Sequence, residues 1–246
     1  MKLRGIAMIL VVSLLLGGCG ASAAPELSSF APDESRRLVI YTSHKEEVYG
    51  PIIKEFEART GIWTEVVTGG TGELLDRIDA ESSAPRCDVM FGGGVESLLT
   101  HADLFEPYAG AEVSQLQAGL WSEEDVWVPF SSLPVVMIYN TRLVQPEQLS
   151  GWTDLLDSRW KGNIAFADPA VSGSSYTAAV TMLSALSGNE WELLDRFMDN
   201  LDGRVLPDSG DVVTAVAQGT CALGVTLEET ALKRRQQGAN IGILYP

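Results

Sequence analysis

Apolar residues recur along the chain in two alternating rhythms. Short β-branched runs mark strands, and stretches with apolar residues three and four apart mark helices. Residues 37–42 (Arg-Leu-Val-Ile-Tyr-Thr) form the first such run. Ser43 and His44 break it, and a helix follows with Val48, Ile52, Ile53 and Phe56 on one face and Gly61 as its stop. Pro51 falls in its first turns, where proline does least harm. Residues 63–67 predict a second strand, ended by Thr68-Gly69-Gly70-Thr71-Gly72, and a helix from Glu73 turns Leu74, Leu75 and Ile78 inward. Residues 87–91 predict a third strand, apolar but for Asp88 and closed by Gly92-Gly93-Gly94, after which residues 95–99 open another helix.

This alternation, with Gly-, Ser- and Thr-rich loops at the strand ends, predicts the α/β class: an open sheet with helices on both faces. Ligands of such sheets bind at the carboxyl ends of the strands. The loops at Thr42-Ser43-His44, Gly70-Thr71-Gly72 and Gly92-Gly93-Gly94 are therefore the first candidates for a site.

A second unit follows. Residues 127–139 are a long β-like stretch, interrupted by Ser131, Ser132 and Pro134 and long enough to cross between two domains. Residues 152–156 predict a short capped helix and 163–167 a strand. Asp168-Pro169-Ala170-Val171-Ser172-Gly173-Ser174-Ser175 then leads into an Ala-rich helix reaching Leu186. An amphipathic helix over 191–201, a short strand at Val205-Leu206 and a helix from Asp208 to Gln218 follow, the last stopped by Gly219. Residues 221–226 predict an apolar strand, the candidate return crossing. A helix over 230–237 has Lys233-Arg234-Arg235 at its cationic end, and 241–244 begin one more strand. A domain ending there has no closing helix, so the sequence is expected to be shortened.

Composition narrows the partners. The 246 residues include 17 Lys and Arg, 33 Asp and Glu, 2 His and 3 Cys, for a formal charge of −16. This excess of acid speaks against nucleic acid, whose affinity comes mostly from phosphate neutralisation by Lys and Arg, and against a basic membrane-binding patch. It leaves room for a small anion, because a local site can oppose the global field.

At the N-terminus, Lys2 and Arg4 precede an apolar run over 6–16 that is too short to span a bilayer. Leu16-Gly17-Gly18-Cys19 resembles the bacterial lipoprotein signal, which implies lipidation at Cys19 and a signal peptide over 1–19; an ordinary secretory signal with a chance Cys is the alternative. Loss of two cations takes the charge to −18. Residues 20–36 read as a flexible tether, which places the folded part outside the cytoplasm, in the cell envelope and lipid-anchored to a bacterial membrane. Cys87 and Cys221 are too few for a disulfide scaffold and read as core residues. No Cys/His spacing fits zinc.

No nucleophile elbow, metalloprotease helix or P-loop lysine occurs, so neither an enzyme nor a cofactor is predicted. His101 reads as a surface residue and His44 as a strand-end loop residue. Glu228 and Glu229, adjacent on an extended chain, would face opposite ways and form no acid/base dyad. Two loops read as helix N-termini built from small residues, Gly70-Thr71-Gly72 and Ser172-Gly173-Ser174-Ser175. Free amides and the helix dipole make such ends anion sites without Lys or Arg. Each loop alone is equally a cap or a turn. Two of them, in two sheet-bearing units, point to a shared cleft. Trp127 and Trp160 read as core or hinge packing, and Tyr176 as cleft or core.

The segments LVIYTSHKEEVYGPIIKEFEARTGI, GGTGELLDRI, CDVMFGGG, WKGNIAFADPAVSGSSYT and AVAQGTCALGV together resemble the extracellular solute-binding proteins of ABC importers. The nearest group is the one containing ferric-iron-, hexose-phosphate- and 2-aminoethylphosphonate-binding proteins. The resemblance implies a two-lobed periplasmic-binding-protein-like fold of type II, with two crossing hinge strands near Ser131-Ser132 and Thr226. It assigns 37–131 to lobe 1, 132–225 to lobe 2 and 226–246 to a return to lobe 1. It also implies a monomer that delivers solute to an ABC permease with its ATPase.

Ligand contacts would come from Thr42, Ser43, His44, Gly70, Thr71, Gly72, Gly92, Gly93, Ser131, Ser172, Gly173, Ser174, Ser175, Glu228 and Glu229. Ferric-binding members carry a Tyr pair just after the second crossing. Here that place reads Thr226-Leu227-Glu228-Glu229, which favours a sugar phosphate or phosphonate over Fe(III). An iron alternative would use His44, Glu228 and Glu229. A ligand-presenting sensory module is a further alternative.

Overall fold

β1 (Arg37–Thr42) is the central strand of a three-stranded parallel sheet of order β2-β1-β3. β2 (Trp63–Thr68) pairs with it along its whole length, and β3 (Val89–Phe91) pairs with Ile40, Tyr41 and Thr42. This computed structural model describes residues 33–108, 110–117, 121 and 126–246. The signal peptide with Cys19, and residues 20–32 of the tether, lie outside the described residues.

The parallel order requires crossover helices. α1 (Glu46–Thr60) joins β1 to β2, and α2 (Thr71–Ala80) leads from β2 towards β3. Gly61 ends α1 at φ 65°, a left-handed conformation that glycine adopts without steric cost. α3 (Val95–Leu99) follows β3. Val39, Tyr41 and Leu74 form a small core, with Val67, Ile78, Cys87 and Met90 packed against it. The apolar face read on α1 is only partly covered: none of its residues is buried, and Ile52 is 42% exposed.

The second sheet has the order β5-β6-β4-β7. β4 (Val135–Asn140) runs antiparallel to β6 (Leu223–Leu227) and to β7 (Ile241–Leu244), and β5 (Ile164–Ala165) pairs parallel with β6. Alternation along β4 serves two cores. Met137 faces a cluster that includes Met182 of α4 (Gly173–Ala185) and Phe197 of α5 (Glu190–Leu201). Val136 and Ile138 face the other side, with Val212, Val213 and Val216 of α6 (Ser209–Gln218) and Ala231 of α7 (Glu228–Gln236). Helices cover both faces, as the pattern predicted.

Several expectations need correction. Residues 127–134 are not strand: Pro134 offers no N–H to a ladder, and β4 begins at Val135. The last residues of the tether, Glu34–Arg36, form a 3-10 turn, and Arg36 donates to the Thr60 carbonyl at 3.2 Å. Residues 226–246 do not go back to the first sheet: β7 joins the second by pairing with β4, and buries Ile241. Glu228 and Glu229 are not at an extended strand end; they form the first turn of α7, where carboxylates suit the helix dipole. Cys87 is only half-buried, while Cys221 is buried as read.

Candidate functional site

The candidate residues fall into four groups. In the first, the carboxyl ends of β1 and β3 are tied together by Thr42. Its buried hydroxyl donates to the Phe91 carbonyl at 2.6 Å and accepts from the His44 amide at 3.1 Å. That hydroxyl is consumed by the fold, so Thr42 shapes the loop rather than offering a free donor. Ser43, His44 and Gly92 lie together: a Cβ on Gly92 would stand 2.8 Å from Ser43 Oγ and 3.3 Å from His44 Nε2.

The His44 ring packs against Phe91 and Phe130, with centroids 4.9 Å and 5.9 Å away, and these two phenylalanines meet edge to face at 4.9 Å. Burial holds the His44 imidazole below its ordinary pKa, which favours the neutral ring at neutral pH. The sequence reading missed both phenylalanines. Phe91 was placed in a strand, and Phe130 lies 86 positions from His44, so no local periodicity joins them.

In the second group, Gly70, Thr71 and Gly72 open α2. Gly70 N–H donates to the Glu73 carboxylate at 3.3 Å. Gly72 N–H donates to the Val171 carbonyl of the second lobe at 3.4 Å. Thr71 is buried between Gly93 and Gly173: Cβ atoms there would lie 3.0 Å from its Cγ2 and 2.6 Å from its Oγ1. Much of this loop therefore touches the opposite lobe.

In the third group, Ser172 caps α4. Its Oγ accepts from Ser175 N–H at 3.3 Å and lies 3.1 Å from Ser174 Oγ. Gly173 and Ser174 occupy the first turn, where backbone N–H groups have no partner within the helix. Ser175 is buried. The fourth group lies in the segment beside Phe130, which packs on His44, and at the start of α7. Ser131 is exposed in the segment before β4, which is joined to α7 by a 2.8 Å bond from Glu228 N–H to the Pro134 carbonyl. Glu228 accepts from the Tyr245 hydroxyl, and Glu229 from Thr230 at 3.2 Å.

Charge distinguishes the third group. Among the described residues, α1, α2, α3, α5, α6 and α7 each carry Asp or Glu in the first turn, and α4 carries none. Six N-terminal dipoles thus have a carboxylate of their own, whereas the first turn of α4 carries only amides and hydroxyls and the nearest carboxylate described there, Glu96 of α3, accepts from Thr177 just beyond it. The lack of Asp and Glu over residues 173–176 is legible in the sequence itself.

Two cavities lie elsewhere. An apolar one of about 310 Å³ is lined by Phe166, Leu194, Phe197, Met198 and Val205, and a polar one of about 270 Å³ by Arg37, Arg86 and Asp88. Neither is lined by a candidate ligand residue. The apolar one has few polar groups for a charged solute, and the other lies by the amino ends of β1 and β3. The strand-end loops therefore remain the better candidates.

The chain is similar to known proteins over most of its length. Iron uptake protein A1 of Synechocystis is 26% identical over 252 residues, covering 97% of this chain and 69% of that protein. The periplasmic binding protein AfuA of Actinobacillus pleuropneumoniae, solved with fructose-6-phosphate, superposes with a TM-score of 0.70 at 24% identity, over 85% of this chain and 69% of that one. The ferric binding protein of Campylobacter jejuni gives 0.71 at 20% identity, over 85% and 70%. These likenesses establish the two-lobed α/β fold of periplasmic binding proteins. The family model for bacterial extracellular solute-binding proteins matches residues 38–246, and the chain belongs to that family.

Proposed function

We propose that this solute-binding protein captures a small organophosphate, a sugar phosphate or a phosphonate, between its lobes and delivers it to the permease of an ABC importer. Members of its family bind solutes and are not enzymes. The observation that carries the choice of an anion is the α4 N-terminus, which has no carboxylate in its first turn and has Ser172 as its cap. Gly173 and Ser174 would give their amides to the phosphoryl oxygens, and the Ser172 and Ser174 hydroxyls would add hydrogen bonds. Ser43, His44 and Gly92 would meet the rest of the solute. Glu228 and Glu229 would face hydroxyls or an amine. A lipid tether at Cys19 and a monomeric state belong to the same proposal. No described helix is long and apolar enough to cross a membrane.

Calorimetric titration with fructose 6-phosphate and with 2-aminoethylphosphonate tests this reading. At least one should bind, and Ser174→Ala should weaken it about 10-fold or more, as expected for losing a hydrogen bond to a charged group. Absence of binding by both, or full affinity in Ser174→Ala, would contradict it.

Ferric iron is the second reading. Several relatives are named for iron, and a neutral His44 is in the form that ligates metal. Against it, the described residues contain no group of three or more His, Cys, Asp or Glu arranged to hold a metal. An absorbance band appearing with ferric citrate, alongside no response to either phosphorus compound, would favour iron.

A further inference from the structure

We propose that the chain carries a built-in catch that holds its two lobes together through protein–protein contacts, so that solute completes closure rather than creating it. Among the described residues, three polar contacts join the lobes. Gly72 N–H donates to the Val171 carbonyl at 3.4 Å, Thr177 Oγ1 donates to the Glu96 carboxylate at 2.8 Å, and Lys233 on α7 pairs with Glu47 on α1. Every partner is a protein atom, so these contacts favour closure whatever the solute.

Glycines make the approach possible. A Cβ on Gly72 would lie 1.8 Å from the Ala170 carbonyl oxygen, and one on Gly94 would lie 2.2 Å from Thr177 Oγ1. Neither glycine has a positive φ, so the backbone there would accept other residues. What excludes a side chain is the other lobe. Gly72 lies inside α2, where alanine is the better helix former, so Gly72→Ala should leave the first lobe folded while propping the cleft open. The ion pair is the electrostatic part of the catch. Its carboxylate is held below, and its ammonium above, their ordinary pKa values, chiefly by the hydrogen bond between them.

Small-angle scattering of the purified full chain, with no solute added, tests the catch independently of what the cleft binds. Gly72→Ala should raise the radius of gyration above that of the parent, with an unchanged circular dichroism spectrum. Glu47→Lys should raise it as well, and Glu47→Lys combined with Lys233→Glu should bring it back. Glu47 is exposed and Lys233 about half-exposed, so these changes should not unfold the chain. A radius unchanged in Gly72→Ala and in Glu47→Lys would overturn the proposal. So would an increase in Glu47→Lys that the double variant fails to reverse. A dead cleft with an intact catch would instead count only against the solute assignment.

Discussion

His44 shows how a single side chain carries both a structural and a chemical consequence. Its ring is wedged beside Phe91 and Phe130, and burial lowers its pKa from the ordinary ~6.5. In the unfolded chain it binds a proton at mildly acidic pH, whereas the folded chain resists that proton. Between its lowered folded pKa and ~6.5 the unfolded state therefore holds more protons, and stability falls as pH drops through that window. Above ~6.5 both states are neutral and the effect is constant. The melting temperature of the parent should fall more steeply from pH 7.5 to pH 5.5 than that of His44→Gln; parallel slopes would show that the ring titrates freely. The chain's own letters marked His44 as a loop residue at a strand end, because Ser43 and His44 interrupt a β-branched run. They did not mark its neighbours, because ring contacts with Phe91 and Phe130 are made across 47 and 86 positions. Thr42 reads as a ligand residue in isolation, and only the fold shows its hydroxyl spent on Phe91 and His44.

Elements were legible where their cause was local. The run at 37–42 and the stop at Gly61 bound β1 and α1 almost as they stand, since β-branching and a left-handed glycine act within a few residues. β7 was seen as a strand and sent to the wrong lobe, because pairing is decided by a partner a hundred positions away. The register explains why it stays with β4. Gly242 stands opposite Tyr139, and a Cβ there would fall 2.1 Å from the tyrosine ring, so the strand has a hole shaped to that ring. Gly242→Ala should overpack this contact and cost about 1–3 kcal/mol. At about 2–4 °C per kcal/mol for a chain of this size, thermal unfolding would detect it. Gly203→Ala is a useful comparison. A Cβ there meets nothing within 4 Å, so its cost comes only from the strained φ of 75°. If Gly242→Ala destabilised no more than Gly203→Ala, the Tyr139 contact would not be what fixes β7.

For the molecule as a whole, the question is how a chain of formal charge −16 would attract the proposed anion. Two strand–helix units were readable from the repeated rhythm, and the helix ends at 70–72 and 172–175 were readable as anion sites. What needed the fold was that Thr71 and Gly72 are taken up by the opposite lobe, which leaves the α4 end as the proposed site. The α4 N-terminus acts over a few ångströms, while the net charge acts over roughly a Debye length, ~10 Å at 0.1 M salt. On the proposed reading, an approaching organophosphate would first be repelled by the whole and then held by the site. Salt screens the long-range repulsion more than the short-range hydrogen bonds. A site built on Lys and Arg would lose association rate as salt rises. This one should gain, by about two- to fivefold in the association rate of fructose 6-phosphate or 2-aminoethylphosphonate between 20 and 200 mM salt. Stopped-flow measurement of the bimolecular phase isolates encounter from lobe closure, so weakening of the Glu47–Lys233 pair by the same salt does not obscure the result. A rate that falls with salt would mean that cations steer the solute, and the acid-free helix end would then not be where it first binds. A ferric cation would give that same falling trend for the opposite reason, attraction to the negative chain. Ferric citrate, by contrast, is itself an anion at neutral pH and would rise with salt as the phosphorus compounds do. The sign of the salt effect therefore reports whether cations or helix-end amides first meet the solute, and the ferric absorbance band is what tells iron from phosphorus.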